Sequence, residues 1–376
     1  MGVGLSLSAG QPQTSRTNVG GSSLTSPRKR RILYVCDARP GASSGYRILS
    51  FRRLGQDLIA FDISRYEQRS RYLRAAAVRA PIWPFIHRIN RDLLLAVRDQ
   101  KPDVVFFDKP VFFARDTILD IKQTGAKTVS YNQDNPFGPR NDPGFYQFRK
   151  VFRLFDLHCA FRRADAVRFQ EWGLKWVQTM FSYEPTTHFP PARDWSDNDR
   201  TRGVSYIGSP YEERPEFLRR LGEEQHIPLA IAGSTRWKQS LSPELFDRYV
   251  HHGPLFDSDY REAIWQSRIN LSFLTRLNED DIAHKSVEIA ACQGFLLAVR
   301  SEGHQAIFEE DREAVFFSSL EECADKCRFY LTRPDLREAI ARRGRERAVR
   351  SGYDNDTQVS RILNHLDGVT TEVGTA

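Results

Sequence analysis

Short apolar runs that do not alternate with polar residues recur along this chain, and stretches of helical spacing separate them. One set lies at 32–36, 58–63, 104–107 and 127–131, and a second at 204–207, 229–232, 249–252, 269–274, 295–299 and 314–317. Runs of this kind suit strands covered on both faces, which means parallel sheets with helices on either side. The spacing predicts helices over 85–98, where Ile86, Ile89, Leu93 and Val97 share a face, and over 114–123, 215–221, 259–266, 285–292, 320–331, 334–349 and 356–366. Short strands are expected around Leu157 and Val167, with a helix near Gly173. Residues 185–202 are rich in Pro, Asp, Asn and Arg and read as a linker. The expected fold class is therefore α/β, and 376 residues with 40% hydrophobic content suffice for two cores. The expected division is a disordered tail at 1–30, a first domain at 31–185, a linker at 186–202, a second domain at 203–350 and a terminal helix and tail at 351–376.

Ligands of parallel sheets gather at the carboxyl ends of the strands, and three such ends carry informative residues. Glu288 stands one turn into the helix expected over 285–292, where a carboxylate can hydrogen-bond ribose or sugar hydroxyls. The same residue could equally favour the helix dipole or cap its start. The loop 37–45, with Gly41 and Gly45, leads into a helix, so its backbone amides can approach a phosphate or sugar. It ends in neither Gly-Lys-Ser/Thr nor G-x-G-x-x-G. After the run 127–131 comes Asn132-Gln133-Asp134-Asn135-Pro136, which also reads as a turn initiated before proline. Three Asp-x-Asp triplets occur, at 197–199, 257–259 and 354–356; the first falls in the linker, and the others stand before helices, where capping explains them. Of the nine histidines, His284 is kept as a site candidate.

The segment Lys285-Ser286-Val287-Glu288-Ile289-Ala290-Ala291-Cys292-Gln293-Gly294-Phe295-Leu296-Leu297 resembles the donor-binding signature of GT-B glycosyltransferases, particularly the CgeB-like (spore maturation) group related to glycosyltransferase family 4. Residues 204–210, VSYIGSP, and 229–237, LAIAGSTRW, match in the same order, and the resemblance covers roughly 200–350 well and the first half more loosely. It implies two Rossmann-like domains facing a central cleft, with the terminal helix crossing back onto the first. It also implies that Gly208 and Ser209 form a close-approach loop, Arg236 and Lys285 meet a diphosphate, Gly253 and Pro254 line a base pocket, and Glu288 meets the ribose, with His284 beside them. Asp134 resembles the acid of that group's Asp-x-Pro loop and could contact an acceptor hydroxyl or act as a base, with Gly41 and Gly45 on the same acceptor side. The related family usually carries two glutamates with seven residues between them, and the position matching the first is Asp280.

The expectation is a metal-independent transfer from a nucleotide sugar to an unidentified acceptor (glycan, lipid or protein), with no cofactor beyond the nucleoside diphosphate sugar as donor substrate. Fixed positive charge at the leaving diphosphate would supply much of the catalysis. Two alternatives stay open: a nucleotide-sugar epimerase of the same plan, and a non-catalytic nucleotide-binding protein. A formal charge of +7 raises nucleic acid as a partner, but the excess is spread over 28–31, 65–79 and 342–350 without an RNA module or zinc-finger spacing, so none is expected. A basic cleft instead suits an anionic sugar nucleotide. No apolar run is long enough to span a bilayer and no signal-peptide pattern opens the chain, so a cytoplasmic protein without a transmembrane segment is expected. The five cysteines, an odd and scattered set without C-x-x-C, read as reduced structural thiols.

Overall fold

The computed structural model describes residues 26–39, 41–66 and 84–368. The tail expected over 1–30 lies outside these up to residue 25, as does most of the basic stretch 65–79. Among the described residues twelve strands form two parallel sheets of six. The first contains β1 (Arg31–Cys36), β2 (Asp57–Asp62), β3 (Val104–Asp108), β4 (Lys127–Tyr131), β5 (Leu157–Ala160) and β6 (Trp176–Gln178), in the order β2-β1-β3-β4-β5-β6. The second contains β7 (Arg202–Gly208), β8 (Leu229–Gly233), β9 (Val250–His252), β10 (Ser267–Ser272), β11 (Leu296–Val299) and β12 (Val315–Phe317), in the order β12-β11-β10-β7-β8-β9. Their central strands are buried throughout, as Ile32 to Cys36 and Val104 to Phe107 show, which is why these runs are continuous instead of alternating.

Strand order reverses between β1 and β3 in one sheet and between β7 and β10 in the other. At such a switch point the loops leave in opposite directions and open a crevice at the strand ends. Three apolar clusters hold the described residues together. Two cover the outer sheet faces, and the third runs from Tyr34, Phe106 and Tyr131 through Val359, Ile362 and Leu363 to Val287 and Ala290. The last helix, Asn355–Leu366, thus packs against Ser43–Arg53 of the first half. Polar contacts fix its start: Arg53 holds Asp356 at 2.7 and 2.8 Å, and the Ser182 hydroxyl reaches Asn355 at 2.7 Å.

Four local expectations change. Val167 lies in the helix Arg163–Glu171, not a strand, and Gly173 sits in the turn after it. The helix after β1 begins at Ser43, which takes Gly45 out of the loop and into the first helical turn. Phe273 and Leu274 fall beyond β10, and the short helices Trp237–Ser240 and Pro243–Tyr249 had no counterpart in the periodicity. Too few turns are present in either for a 3.6-residue pattern to emerge. All five cysteines are buried as free thiols.

Candidate functional site

The switch point of the first sheet holds a cavity of about 360 Å³, lined by Ser43, Arg47, Asp108, Lys109, Gln133 and Asp134 among others. Its floor is a buried network. Arg47 Nε donates to Asp108 at 2.9 Å and to the Tyr34 hydroxyl at 3.0 Å, while that hydroxyl donates to Asp108 at 2.5 Å. The guanidinium also stacks 4.8 Å above the Tyr131 ring. Each buried charge therefore has its partner, and the floor is rigid.

Asp134 projects from the rim and pairs with Lys109. Partial burial works to raise its carboxyl, but Lys109, with Arg162 and Arg140 behind it, prevails and holds it below the ordinary carboxylate value. A carboxylate held low accepts a proton poorly near neutral pH, so this ion pair suits Asp134 to accepting hydrogen bonds more than to service as a base. The turn role belongs to its neighbour: Asn135 Oδ1 accepts the Phe137 amide at 2.9 Å. Asn135 also reaches the other half, through Asn278 at 2.6 Å and Glu279 at 2.7 Å.

Across the crevice, the helix His284–Ala291 presents His284, Lys285 and Glu288. Glu288 is only 8% exposed. Its Oε2 accepts the Tyr260 hydroxyl at 2.9 Å, and its Oε1 lies 3.4 Å from His284 Nε2 and 3.8 Å from His188 Nε2. Burial would raise this carboxyl; His284, His188, Lys285 and the Tyr260 hydroxyl outweigh it and hold it at about 2. Lys285 sets its ammonium 4.8 Å over the Tyr260 ring, and burial lowers its pKa. His284 Nε2 meets the Ser182 carbonyl at 2.9 Å, so this helix start grips the first half directly.

Because the Glu288 carboxyl is held below its ordinary 4.5, its stabilising contribution is complete above that value and disappears as pH falls through about 2. Comparing unfolding free energies of the wild type and Glu288→Gln between pH 3 and pH 7 should show the difference shrinking toward acid. The full effect is on the order of 3 kcal/mol. A difference independent of pH would mean the carboxylate is not stabilised by its neighbours.

Behind the helix, His304 organises its entry. His304 Nδ1 meets the Val299 carbonyl at 2.8 Å, and its Nε2 receives the Ala283 amide at 3.2 Å and the Ser286 hydroxyl at 2.9 Å. Ser286 also reaches Ser272 at the end of β10 at 2.9 Å. This network fixes the height of the helix against the sheet and so aims Glu288.

The remaining expected residues are dispersed along the strand ends. Gly208 ends β7 opposite Gly233 of β8, and a Cβ on Gly233 would stand 2.0 Å from the Gly208 carbonyl oxygen, so no side chain fits there. A Cβ on Gly208 would meet the Tyr206 hydroxyl at 2.5 Å, which gives this glycine a packing reason as well. The Ser209 carbonyl accepts that hydroxyl at 3.1 Å. Arg236 is exposed, stacked 5.7 Å above Tyr211. Gly253 and Pro254 are exposed in the loop after the edge strand β9. That loop closes on the first half: the ring of Phe256 lies 3.0 Å from where a Gly41 Cβ would be, and Gly41 has φ +79. Gly41 is thus required both by its backbone and by this contact. Gly45 has open space around its Cβ position.

Asp280 does not face solvent or an open cavity as a free acid. Arg162 of the first half binds it at 2.9 and 2.7 Å, Asn278 binds it at 2.8 Å, and burial pushes its carboxyl up to about 6 against the pull of Arg162. Arg162 also pairs with Asp165 at 3.2 Å and donates to the Gln133 carbonyl, so it joins the loop after β4 to the second half. The Asp-x-Asp triplets are structural. Asp197 pairs with Arg268 and Arg337, Asp199 with Arg193, and Asp354 caps the last helix by accepting the Thr357 amide. Asp257 is a correction: Phe256 occupies the cap position, and Asp257 instead accepts the Tyr46 hydroxyl at 2.8 Å across the crevice. Among the described residues no group of three or more His, Cys, Asp and Glu side chains is arranged to hold a metal ion. No helix among them is long and apolar enough to cross a membrane.

Tyr46, Arg162, His188, Tyr260 and His304 were not singled out in the sequence. Each becomes a site residue through contacts that no local periodicity signals: Tyr46, Arg162 and His188 meet Asp257, Asp280 and Glu288 from the other half, while Tyr260 and His304 meet residues of the Glu288 helix and its entry.

Residues 214–364 match the glycosyl transferase-like family. No curated protein matches the chain. Among solved structures, Anabaena Alr3699/HepE in complex with UDP-glucose superposes with a TM-score of 0.61 at 12% identity, covering 90% of this chain and 100% of that one. Sucrose-phosphate synthase from Thermosynechococcus elongatus gives 0.63 at 10% identity, covering 90% and 99%. A Listeria monocytogenes protein assigned as a UDP-N-acetylglucosamine 2-epimerase gives 0.58 at 10%, covering 91% and 98%. At such identities the superpositions bear on fold alone. The two facing parallel sheets have the GT-B architecture, and the domain over 214–364 is glycosyl transferase-like.

Proposed function

We propose that the protein transfers a sugar from a nucleoside diphosphate carrier, bound at the β7/β10 switch point, to an acceptor seated in the cavity at the β1/β3 switch point. The observation that carries this reading is the facing pair of sites: the helix bearing Lys285 and Glu288 on one side, and the 360 Å³ polar cavity bearing Asp134 on the other. Glu288 takes the ribose, and Lys285 with Arg236 takes the diphosphate. The amides after Gly208 approach the phosphates, and the loop at Gly253 and Pro254 meets the base. UDP-glucose in the Anabaena neighbour supports a nucleotide sugar as the donor class. We further propose that charge on the leaving diphosphate is met by these side chains without a metal, that the chain belongs with the CgeB-like group, and that it works in the cytoplasm, which suits its five free cysteines.

An epimerase acts on one substrate and needs no second site, so the acceptor-side cavity favours transfer. Two measurements test this. Titration calorimetry with UDP, GDP, ADP and CDP should find micromolar binding to one of them, weakened tenfold or more by Glu288→Ala, since hydrogen bonds to a charged group contribute about 1.5–3 kcal/mol each. Incubation of the matching nucleotide sugar without acceptor should give slow hydrolysis. Isomerised sugar would establish the epimerase reading, and absence of binding to all four would remove the nucleotide site altogether.

A further inference from the structure

The segment read as a linker carries a histidine, His188, to which the proposed transfer assigns no ligand contact. His188 is 1% exposed, and its ring is oriented by the backbone: the Glu184 amide donates to Nδ1 at 3.0 Å, which leaves the proton of the neutral ring on Nε2. The turn around it is itself anchored, since the fully buried Glu184 pairs with Arg53 at 2.7 Å and accepts the Thr186 hydroxyl at 2.7 Å. Yet among the described residues His188 Nε2 is buried without a hydrogen-bond partner. It is directed at Glu288 Oε1, which at 3.8 Å is beyond hydrogen-bond range.

Buried donors in folded proteins are nearly always satisfied, so an orphan N–H aimed at a carboxylate calls for a third atom. An oxygen about 2.8 Å from both can stand over a pair separated by 3.8 Å. It must accept from the imidazole and donate to the carboxylate, and a hydroxyl does both. The other contacts around Glu288 are already committed: Tyr260 occupies Oε2, and His284 Nε2 is engaged with the Ser182 carbonyl.

We propose that His188 and Glu288 together clamp a ribose hydroxyl of the nucleotide, His188 donating and Glu288 accepting, which makes this linker histidine a determinant of ribose over deoxyribose. The inference rests on the sugar-nucleotide reading of the site. Tyr46 covers the pair, its ring 5.5 Å from the His188 ring and its hydroxyl on the exposed Asp257, so ligand entry requires Tyr46 to swing away from that hydrogen bond.

Two replacements separate the donor from the fold. His188→Asn keeps an acceptor where Nδ1 stands and so preserves the bond from the Glu184 amide, but it lacks Nε2. His188→Gln extends an N–H toward the Nε2 position. With the nucleoside diphosphate that binds best among UDP, GDP, ADP and CDP, and with its 2′,3′-dideoxy analogue, calorimetry gives a ribo/dideoxy affinity ratio for each protein. The wild type is expected to favour the ribo form by about tenfold or more, His188→Asn to cut that ratio by about three- to tenfold, and His188→Gln to recover most of it. Thermal melts of both variants should confirm folding. A wild-type ratio near one, or an unchanged ratio in His188→Asn, overturns the clamp while leaving the nucleotide site standing. Failure of all four diphosphates to bind the wild type overturns the sugar-nucleotide reading and the clamp with it.

Discussion

Replacing Lys285 with Met should lower kcat for sugar transfer by about 10²–10³, the usual loss when one preorganised charge-stabilising donor is removed. Lys285 is held over the Tyr260 ring and partly withdrawn from water, where its charge would act on a leaving diphosphate through a lower dielectric than at the surface. Methionine keeps the length and the packing on that ring while removing the charge. The loss should therefore appear in kcat more than in KM, because the charge on the diphosphate grows as the bond to the sugar breaks. Burial lowers the ammonium pKa below its ordinary 10.5, so the basic limb of the wild-type rate profile should fall below that value. A fall in kcat of less than about threefold would place Lys285 outside the reach of the diphosphate.

The second large effect belongs to stability. Arg162 is almost fully buried and serves Asp165, Asp280 and the Gln133 carbonyl at once. Arg162→Ala leaves two carboxyls without their cation inside the contact between the halves and should cost about 3–5 kcal/mol in chemical denaturation. Lysine cannot restore it, since a single ammonium does not span three acceptors as a guanidinium fork does.

The sign of the pH dependence follows from Asp280, whose carboxyl sits at about 6, above its ordinary 3.8. A raised value means that its contribution to stability is complete below 3.8 and is lost as pH rises through about 6. Without Arg162 the carboxyl rises further, so the gap between variant and wild type should widen from pH 5 to pH 8. A gap that narrows over that range would show that Arg162 does not neutralise Asp280.

These two residues also show where sequence reasoning stops. Lys285 and Glu288 stand three apart on one helix, and that proximity is visible in the sequence because an α-helix places such residues on neighbouring positions of one face. Arg162 and Asp280 are 118 residues apart, and neither carries a signal that the other exists. Asp280 was expected only as a shorter acid at a family position; the fold turns it into the counter-ion of a bridge between halves. Likewise the polar composition of 185–202 reads as a linker, and no strand or long helix falls there before β7, but it concealed His188, whose burial comes from Tyr46 and Tyr260 packing around it. Gly45 erred in the other direction: a loop read one turn too long gave it a role that helix Ser43–Arg53 takes away.

By itself the amino-acid order determined the layers. Unbroken apolar runs and intervening helical periodicity are short-range properties, and burial of a strand on both faces follows from them whatever lies elsewhere in the chain. Only the tertiary structure decided how the two halves address each other: which histidine meets Glu288, which cation holds Asp280, and that Phe256 and Tyr46 close the crevice from opposite sides. Those pairings are set by strand order and by the return of the last helix onto the first sheet, and contacts between residues so distant along the chain leave no periodic trace in a sequence.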